Sequence, residues 1–304
     1  MIHTSMRDIP EKRHEMRSKK LLEDVTVNLL RSAVTMLPKD VTEALLKAER
    51  EETSDVGRQQ LRTILANVAS ADRLCVPMCQ DTGLPIFFVK GRCIEGLEEG
   101  IRRGVSRATS EIPLRPNVVH PLTRHNPGDN LGKGMPYVHF EPADLDYTEI
   151  TVMTKGAGSE NMTALAVLTP SQGIKGIKAF VLESVVRAGG NPCPPTIVGV
   201  GIGGSADEAL LLSKKAVLRR LDRENEEAEL AKLERELKEA LNQTGIGPMG
   251  LGGRNTVLGV KVEEAYCHTA SLPVAVTLQC WAARRASARI MRDGTVHYSQ
   301  EGFE

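Results

Sequence analysis

The chain has 304 residues, 41% of them hydrophobic, which supplies enough apolar material for one large domain or two modest ones. Its 39 Lys and Arg residues balance 39 Asp and Glu residues, so the net charge offers no attraction to nucleic acid or to an anionic membrane. Aromatic residues make up only 3% of the chain, which argues against a surface that stacks single-stranded bases.

No hydrophobic run approaches the roughly 18 residues of a membrane-spanning helix, and the first residues are too charged for a signal peptide. We therefore expect a cytoplasmic protein with no membrane partner. In that compartment the six cysteines are expected to be reduced, and each is inertly packed, reactive or a metal ligand.

The N-terminal part is predicted to be mainly helical. Residues 1–20 are polar and charged and are expected to form a loose or partner-bound lead-in. Hydrophobic residues then recur at helical spacing, and one short apolar run, residues 86–89, is predicted to be a strand. The predicted helices are residues 21–38, 41–50, 56–71 and 97–109. A loop rich in Pro, Asn, Gly and His follows at residues 113–136, and long loops of this kind are often functional.

From residue 137 onward strands and helices are mixed, which predicts an α+β fold with helices surrounding small mixed or antiparallel sheets. The predicted strands are residues 137–140, 149–153, 196–200, 256–262 and 272–278, the first two joined by a turn at 142–147. The predicted helices are residues 171–187, one ending at 218 and one within 222–244. We expect one main domain at residues 21–292 and a peripheral tail at 293–304.

A short polar loop at Cys79–Gly83 is the first candidate functional segment. It places a thiol, an amide, a carboxylate and a hydroxyl in four consecutive positions before an apolar strand, and Gly83 lets the chain turn sharply. Catalytic groups are common on loops that a rigid scaffold positions. The same pattern also fits an ordinary turn with an incidental cysteine.

Two other cysteines share this setting beside predicted strands. Cys193 lies in the rigid segment Asn191–Pro195, which contains three prolines, and Cys280 follows a strand. Neither these two nor Cys79 belongs to a Cys-x-x-Cys pair, so the spacing alone is weak evidence for a metal. Three thiolates from separate loops would suit a 4Fe–4S cluster that leaves one iron open as a Lewis acid. The other cysteines are interpreted as small hydrophobic residues: Cys75, Cys93 and Cys267.

Two glycine-rich segments leave further alternatives open. The backbone N–H groups of Lys155–Asn161 could bind an anion, with Lys155 adding charge, or the segment could be a plain strand-to-helix turn. The glycines Gly199, Gly201 and Gly204 match the dinucleotide fingerprint, but the region about 20 residues later is charged and helical instead of ending a strand. A Rossmann oxidoreductase is therefore an outside alternative, and the glycines could instead permit close backbone packing.

Five segments taken together resemble a single family. In chain order they are Cys79–Gly83, Lys155–Asn161, Asn191–Pro195, Gly245–Pro248 and Gln279–Trp281. The combination resembles the iron–sulfur hydro-lyases, which are the class I fumarate hydratases and the L-tartrate dehydratases. The resemblance is to their α subunit, or the N-terminal domain of the single-chain enzymes. It implies an iron–sulfur hydro-lyase α-type catalytic domain at residues 21–292.

The resemblance also implies the residues of the site. Cys79, Cys193 and Cys280 correspond to three ligands of a 4Fe–4S cluster. Gln80 and Asp81 correspond to residues that contact substrate, with Asp81 a candidate proton donor or orienting group.

Further substrate contacts are implied by the same resemblance. Arg115 corresponds to an arginine that grips a substrate carboxylate, for which a guanidinium is well shaped. His268 corresponds to a substrate-binding histidine, although it also fits a half-buried loop position. The backbone of Gly156, Ala157 and Gly158 would serve a second carboxylate, with Ala157 standing where the family often has a third glycine.

The function implied is that of a fumarate hydratase α subunit, which reversibly hydrates fumarate to (S)-malate in the tricarboxylic acid cycle. A separate β subunit carrying the C-terminal-type domain is implied, with a general base on that subunit and an (αβ)₂ heterotetramer as the expected assembly. Arg284 and Arg285 also fit the family and would offset cluster charge or face the partner. An L-tartrate dehydratase α subunit and a non-catalytic iron–sulfur protein remain as alternatives.

Overall fold

The computed structural model describes residues 8–299. Its helices are α1 (Asp8–Thr35), α2 (Lys39–Glu51), α3 (Asp55–Leu74), α4 (Leu97–Glu111), α5 (Ala157–Glu160), α6 (Gly173–Ala188), α7 (Ala206–Ala216) and α8 (Ala228–Asn242). Its strands are β1 (Leu84–Gly91), β2 (Tyr137–Pro142), β3 (Tyr147–Lys155), β4 (Ala164–Leu168), β5 (Thr196–Gly203), β6 (Val257–Ala265), β7 (Leu272–Gln279), β8 (Arg285–Met291) and β9 (Val296–Tyr298). They form two compact units, each with its own sheet and core. None of the helices in residues 8–299 has the length and hydrophobicity needed to cross a membrane.

The first unit comprises residues 8–36, 71–155 and 284–299 of the described chain. Its sheet has the order β2-β1-β3-β8-β9, with β1 parallel to β2 and all other neighbours antiparallel. In β1, Phe87 and Val89 point into the core shared with α1 and α4, while Phe88 is partly exposed. The two helices approach closely at Gly104, where an added Cβ would lie 2.4 Å from the Cβ of Thr26.

The second unit comprises residues 37–70 and 156–283, with a sheet of order β4-β7-β5-β6. Helix α7 packs directly on β5. A Cβ added at Gly199 would lie 2.2 Å from the carbonyl oxygen of Ser213, and one added at Gly201 would lie 2.0 Å from the carbonyl oxygen of Ala209. The opposite face of β5 joins α6 and α8 in the core through valines such as Val198. Two of the dinucleotide-like glycines, Gly199 and Gly201, are thus explained by helix-on-strand packing.

The structure confirms the α+β class but differs from the predicted elements in detail. Residues 8–20, expected in a loose lead-in, belong to α1, since their Glu, Lys, Arg and Met residues have good helix propensity. Strands β2 and β3 do not pair with each other, because β1 lies between them. The predicted tail contains β9, which pairs with β8. Residues 1–7 of the lead-in and 300–304 of the tail lie outside the described residues.

Candidate active site

The Cys79–Gly83 loop connects α3 to β1 in the first unit. The backbone N–H of Met78 donates to the Val34 carbonyl at 3.0 Å, which fixes the start of the loop beside the end of α1. At the other end Gly83 has a φ of +86°, and an added Cβ would lie 2.7 Å from the carbonyl carbon of Thr154. Glycine alone combines that backbone angle with so close an approach. The loop is therefore held at both ends.

The carboxylate of Asp81 has a defined orientation within this loop. The backbone N–H of Gly83 and the side-chain amide of Asn117 both donate to its Oδ1 atom, at 3.0 Å and 3.1 Å. The buried guanidinium of Arg284 donates to the Asp81 backbone carbonyl and so fixes the main chain as well. The motifs in the sequence assign neither Asn117 nor Arg284 to Asp81, because both contacts join segments far apart in the chain.

Arg115 lies beside the same loop, on the long segment after α4. Its backbone N–H donates to the Thr82 hydroxyl at 3.0 Å, and the Asn130 amide donates to its carbonyl at 3.2 Å. Its side chain is exposed, whereas Thr82 and Asn130 are buried. The first unit thus places a partly exposed carboxylate, Asp81, and an exposed cation on adjoining, hydrogen-bonded segments.

In the second unit the loops that carry Cys193 and Cys280 are joined. Cys193 precedes β5 and Cys280 follows its antiparallel neighbour β7, so both lie at the same end of the sheet. The backbone N–H of Trp281 donates to the Cys193 carbonyl at 3.2 Å. Both thiols are partly exposed, and Cys193 has a φ of +55°. A non-glycine residue with positive φ is uncommon, and such residues cluster at functional sites.

The Gly245–Gly253 segment packs on the Cys193 loop. The backbone N–H of Met249 donates to the Pro194 carbonyl at 2.7 Å. An added Cβ at Gly250 would lie 2.6 Å from the Cα of Gly190. The glycine-rich sequence is therefore required for contact with the loop that positions Cys193.

The segment after β3 also reaches the Cys193 loop within the second unit. A Cβ added at Gly158 would lie 2.9 Å from the Asn191 carbonyl oxygen. Ala157 begins α5, in a conformation that any residue adopts, so its methyl group is accommodated without backbone strain. Lys155, at the end of β3 in the first unit, is only 2% exposed, so its charge is not presented to solvent.

A buried carboxylate, Glu52, anchors the end of the glycine-rich segment. It accepts hydrogen bonds from the backbone N–H groups of Arg254 and Asn255, at 2.8 Å and 2.9 Å, and from the Asn255 amide at 2.9 Å. It also accepts from the backbone N–H groups of Thr53 and Ser54. Burial alone would raise its pKa, but the hydrogen bonds from Ser54, Arg254 and Asn255 lower that pKa to about 2.

His268 is not brought to the two cysteines of its own unit. It lies in the exposed loop between β6 and β7, where its Nδ1 accepts a hydrogen bond from the backbone N–H of Ala270. Strand β7 has eight residues, so His268 lies at the far end of that strand from Cys280, roughly 26 Å away. A role at the same site would need His268 from another copy of the chain.

The donor groups at the Cys193 end of the sheet fit a thiophilic metal group. Cys193 and Cys280 lie on joined loops, and neither is in a disulfide bond. Beside them, Thr196 Oγ1 and Gln279 Oε1 are buried and have no hydrogen-bond partner in the part of the chain that is described. Buried polar atoms of this kind are usually satisfied by a ligand or water. Across residues 8–299, no group of three or more His, Cys, Asp or Glu residues is placed to hold a single metal ion.

Comparison with known sequences identifies the family of the chain. The model of the fumarate hydratase (Fumerase) family matches residues 23–289, which is most of the chain. The chain belongs to the fumarate hydratase family. This membership confirms the resemblance and the prediction of a hydro-lyase.

Individual relatives carry two kinds of name. A Methanocaldococcus jannaschii protein named provisionally as an L(+)-tartrate dehydratase subunit alpha is 52% identical over 280 residues, which are 90% of this chain and 98% of that protein. The L(+)-tartrate dehydratase subunit alpha of Escherichia coli strain K12 is 37% identical over 279 residues, 90% of this chain and 92% of that protein. A Geobacillus stearothermophilus protein named provisionally as a class I fumarate hydratase is 39% identical over 268 residues, 84% of this chain but only 52% of that protein.

Proposed function

We propose that the chain is the α subunit of a two-subunit fumarate hydratase that interconverts fumarate and (S)-malate. The observation that carries this is the match of the fumarate hydratase family model to residues 23–289, together with the hydrogen bonds that join three of the motif loops in the second unit. Cys79, Cys193 and Cys280 supply the three thiolates of a 4Fe–4S cluster. When bound, the cluster supplies an open iron that acts as a Lewis acid toward substrate oxygen.

The chain's own residues bind and orient the dicarboxylate. The exposed Arg115 pairs with one carboxylate through its planar guanidinium, and the backbone of Gly156, Ala157 and Gly158 serves the other. The exposed Gln80 adds a hydrogen bond to the substrate. Asp81, whose carboxylate accepts hydrogen bonds from Gly83 and Asn117, hands over or holds a proton in this proposal.

A separate β subunit completes the enzyme in this proposal. Two observations support it: the relatives in M. jannaschii and E. coli are named as alpha subunits, and the chain spans about half of the G. stearothermophilus protein. We place the general base on the β subunit and propose an (αβ)₂ assembly. His268, far along β7 from Cys280, is assigned to substrate binding only as a residue contributed by a second α chain.

A second candidate reaction is the dehydration of L(+)-tartrate. It is favoured by the names of the relatives that are covered over 92% or more of their length, which are tartrate dehydratase alpha subunits. Both reactions add or remove water across a four-carbon dicarboxylate, so the same carboxylate-binding groups serve either substrate. The hydroxyl pattern of the substrate is what separates them.

The test is an assay of the α chain purified anaerobically with its β partner. Fumarate, (S)-malate and L(+)-tartrate are each supplied, and kcat/KM is compared. We expect the fumarate–malate pair to be turned over at least tenfold more efficiently than tartrate. A higher kcat/KM for tartrate than for the fumarate–malate pair would instead identify the chain as the α subunit of a tartrate dehydratase. If the purified enzyme contains the cluster but turns over none of the three substrates, the chain would instead be a non-catalytic iron–sulfur protein.

A further inference from the structure

A groove of about 530 Å³ lies in the second unit and is bordered by α2, α8 and the start of β6. Each helix lines it with four residues spaced i, i+3, i+4 and i+7, which form one side of a helix. These residues are Ala44, Lys47, Ala48 and Glu51 on α2, and Arg235, Lys238, Glu239 and Asn242 on α8. The two alanines leave space that larger side chains would fill. A groove of this volume is in the range of small-molecule sites.

Hydrogen bonds hold both helical walls of the groove in place. The Asn242 Oδ1 atom accepts from the backbone N–H groups of Thr256 and Val257, each at 2.9 Å, which fixes the end of α8 to the start of β6. The Asn255 amide donates to the Ala48 carbonyl at 3.1 Å and so fixes α2 to the same segment. The groove is therefore preformed, as small-molecule sites usually are.

Positive charge is in excess along the groove. Among the described residues that line it, the charged ones are Lys47, Arg235, Lys238 and Arg254 on the basic side and Glu51 and Glu239 on the acidic side. Arg235 pairs at 3.1 Å with Glu224, which does not line the groove. Lys47 lies 3.9 Å from Glu51, which is too long for a hydrogen bond. These pairs leave two further cations in the groove.

The two further cations are Lys238 and Arg254. Neither side chain forms a hydrogen bond or an ion pair with another residue in the range 8–299. Protein atoms around the Lys238 ammonium remove part of its hydration, which lowers its pKa. The charge of Lys47 lowers that pKa further, and its effect is larger than the opposite effect of Glu51. A bound anion would offset the repulsion between these two lysines.

We propose that this groove binds a small phosphate-bearing organic molecule, with the phosphate on Lys238 and Arg254. Ammonium and guanidinium groups are the side chains with which proteins hold phosphate. A phosphate ion alone would fill only a small part of the volume, so the phosphate is expected to belong to a larger molecule. Glu239, on the same side of α8, offers an acceptor to a hydroxyl group of that molecule.

The groove is distinct from the candidate active site. None of the residues assigned to the hydro-lyase reaction is among the described residues that line it. The proposal therefore does not depend on which dicarboxylate the enzyme hydrates, and a failure of one leaves the other standing.

The experiment is isothermal titration calorimetry with ADP as the probe and the reconstituted αβ enzyme as the target. Lys238→Gln and Arg254→Gln each remove one groove cation. Lys232→Gln is the matched control, because Lys232 is exposed on the same helix and does not line the groove. We expect each of the first two variants to raise the Kd for ADP at least about tenfold, which is the loss of one charge-assisted contact. Lys232→Gln should stay within about twofold of wild type.

Two further probes test the assignment to phosphate. Adenosine, which lacks the phosphates, should bind at least about tenfold more weakly than ADP. Tricarballylate carries three carboxylates and no phosphate, and its Kd should be the same in wild type and Lys238→Gln. Equal affinity for adenosine and ADP, or a tricarballylate affinity that depends on Lys238, would overturn the phosphate assignment. No binding of ADP at millimolar concentration, or a Kd unchanged in both groove variants, would overturn the site itself.

Discussion

The Met249 backbone N–H donates a 2.7 Å hydrogen bond to the Pro194 carbonyl, which joins the glycine-rich segment to the residue after Cys193. Trp281 makes a second bond, to the carbonyl of Cys193 itself, so two distant segments hold the main chain at this residue and at the next one. Such bonds fix a loop that has neither helix nor strand to stabilise it. The position of Cys193 is therefore set by its neighbours in the second unit.

Gly250→Ala should disturb the Cys193 loop, and Gly245→Ala is its matched control. Both glycines have left-handed φ angles, +74° and +70°, so each alanine carries a similar backbone strain of about 1 kcal/mol. Only at Gly250 would the new Cβ also meet Gly190, since the space around Gly245 is open. We expect a clearly larger loss of unfolding free energy and of bound iron for Gly250→Ala. Equal effects in both variants would show that the contact with Gly190 does not matter.

Glu52→Gln should remove a pH-dependent part of the stability of the second unit. The carboxylate pKa falls from 4.5 to about 2 in the folded chain, so its contribution is complete above about pH 4.5 and is lost as the pH falls toward 2. That shift corresponds to a contribution on the order of 3 kcal/mol at pH 7.

The measurement is urea unfolding of wild type, Glu52→Gln and Glu51→Gln at pH 7 and at lower pH. Glu51 is the control, because it is exposed and its nearest cation, Lys47, is 3.9 Å away. The difference in unfolding free energy between wild type and Glu52→Gln should become smaller as the pH is lowered. The unfolding free energy of Glu51→Gln should stay near that of wild type at every pH. A gap that is constant with pH would mean that the carboxylate charge contributes nothing.

Arg115→Gln should raise the KM for dicarboxylates, with Arg124→Gln as the control. Both arginines are exposed on the segment between α4 and β2, but only Arg115 is bonded to the Asp81 loop. Loss of a charge-assisted contact to carboxylate should raise KM by about 10- to 100-fold. Steady-state kinetics of the reconstituted enzyme decide the matter, and an unchanged KM for Arg115→Gln would remove this residue from the substrate site.

Local pattern in the sequence predicts much of the fold, and long-range pairing explains what it misses. Helix α4 and strand β7 are strongly periodic and begin where the sequence places them. By contrast β8 alternates small and polar residues, and its seven residues become a strand only because β3 and β9 flank it. Nothing local indicates that β1 inserts between β2 and β3.

The candidate site shows the same division. The motif cysteines and Arg115 can be proposed from sequence because they lie in short segments that resemble the motifs of one family. Asn117 and Glu52 cannot, since their importance comes from hydrogen bonds to residues 36 and about 200 positions away. The one available signal is that Asn117 follows Arg115 so closely in the same proline-rich segment.

The iron and acid-labile sulfide content of the anaerobically purified αβ enzyme decides whether the three motif cysteines hold a cluster. Single variants Cys79→Ser, Cys193→Ser and Cys280→Ser are compared with controls at one exposed cysteine of each unit, Cys93→Ser and Cys267→Ser. We expect close to four irons and four sulfides per α chain in wild type and in the controls, and a loss of most of the iron and sulfide in each of the first three variants. Wild-type content in any one of the first three variants, or no iron and sulfide in the wild-type enzyme, would contradict it.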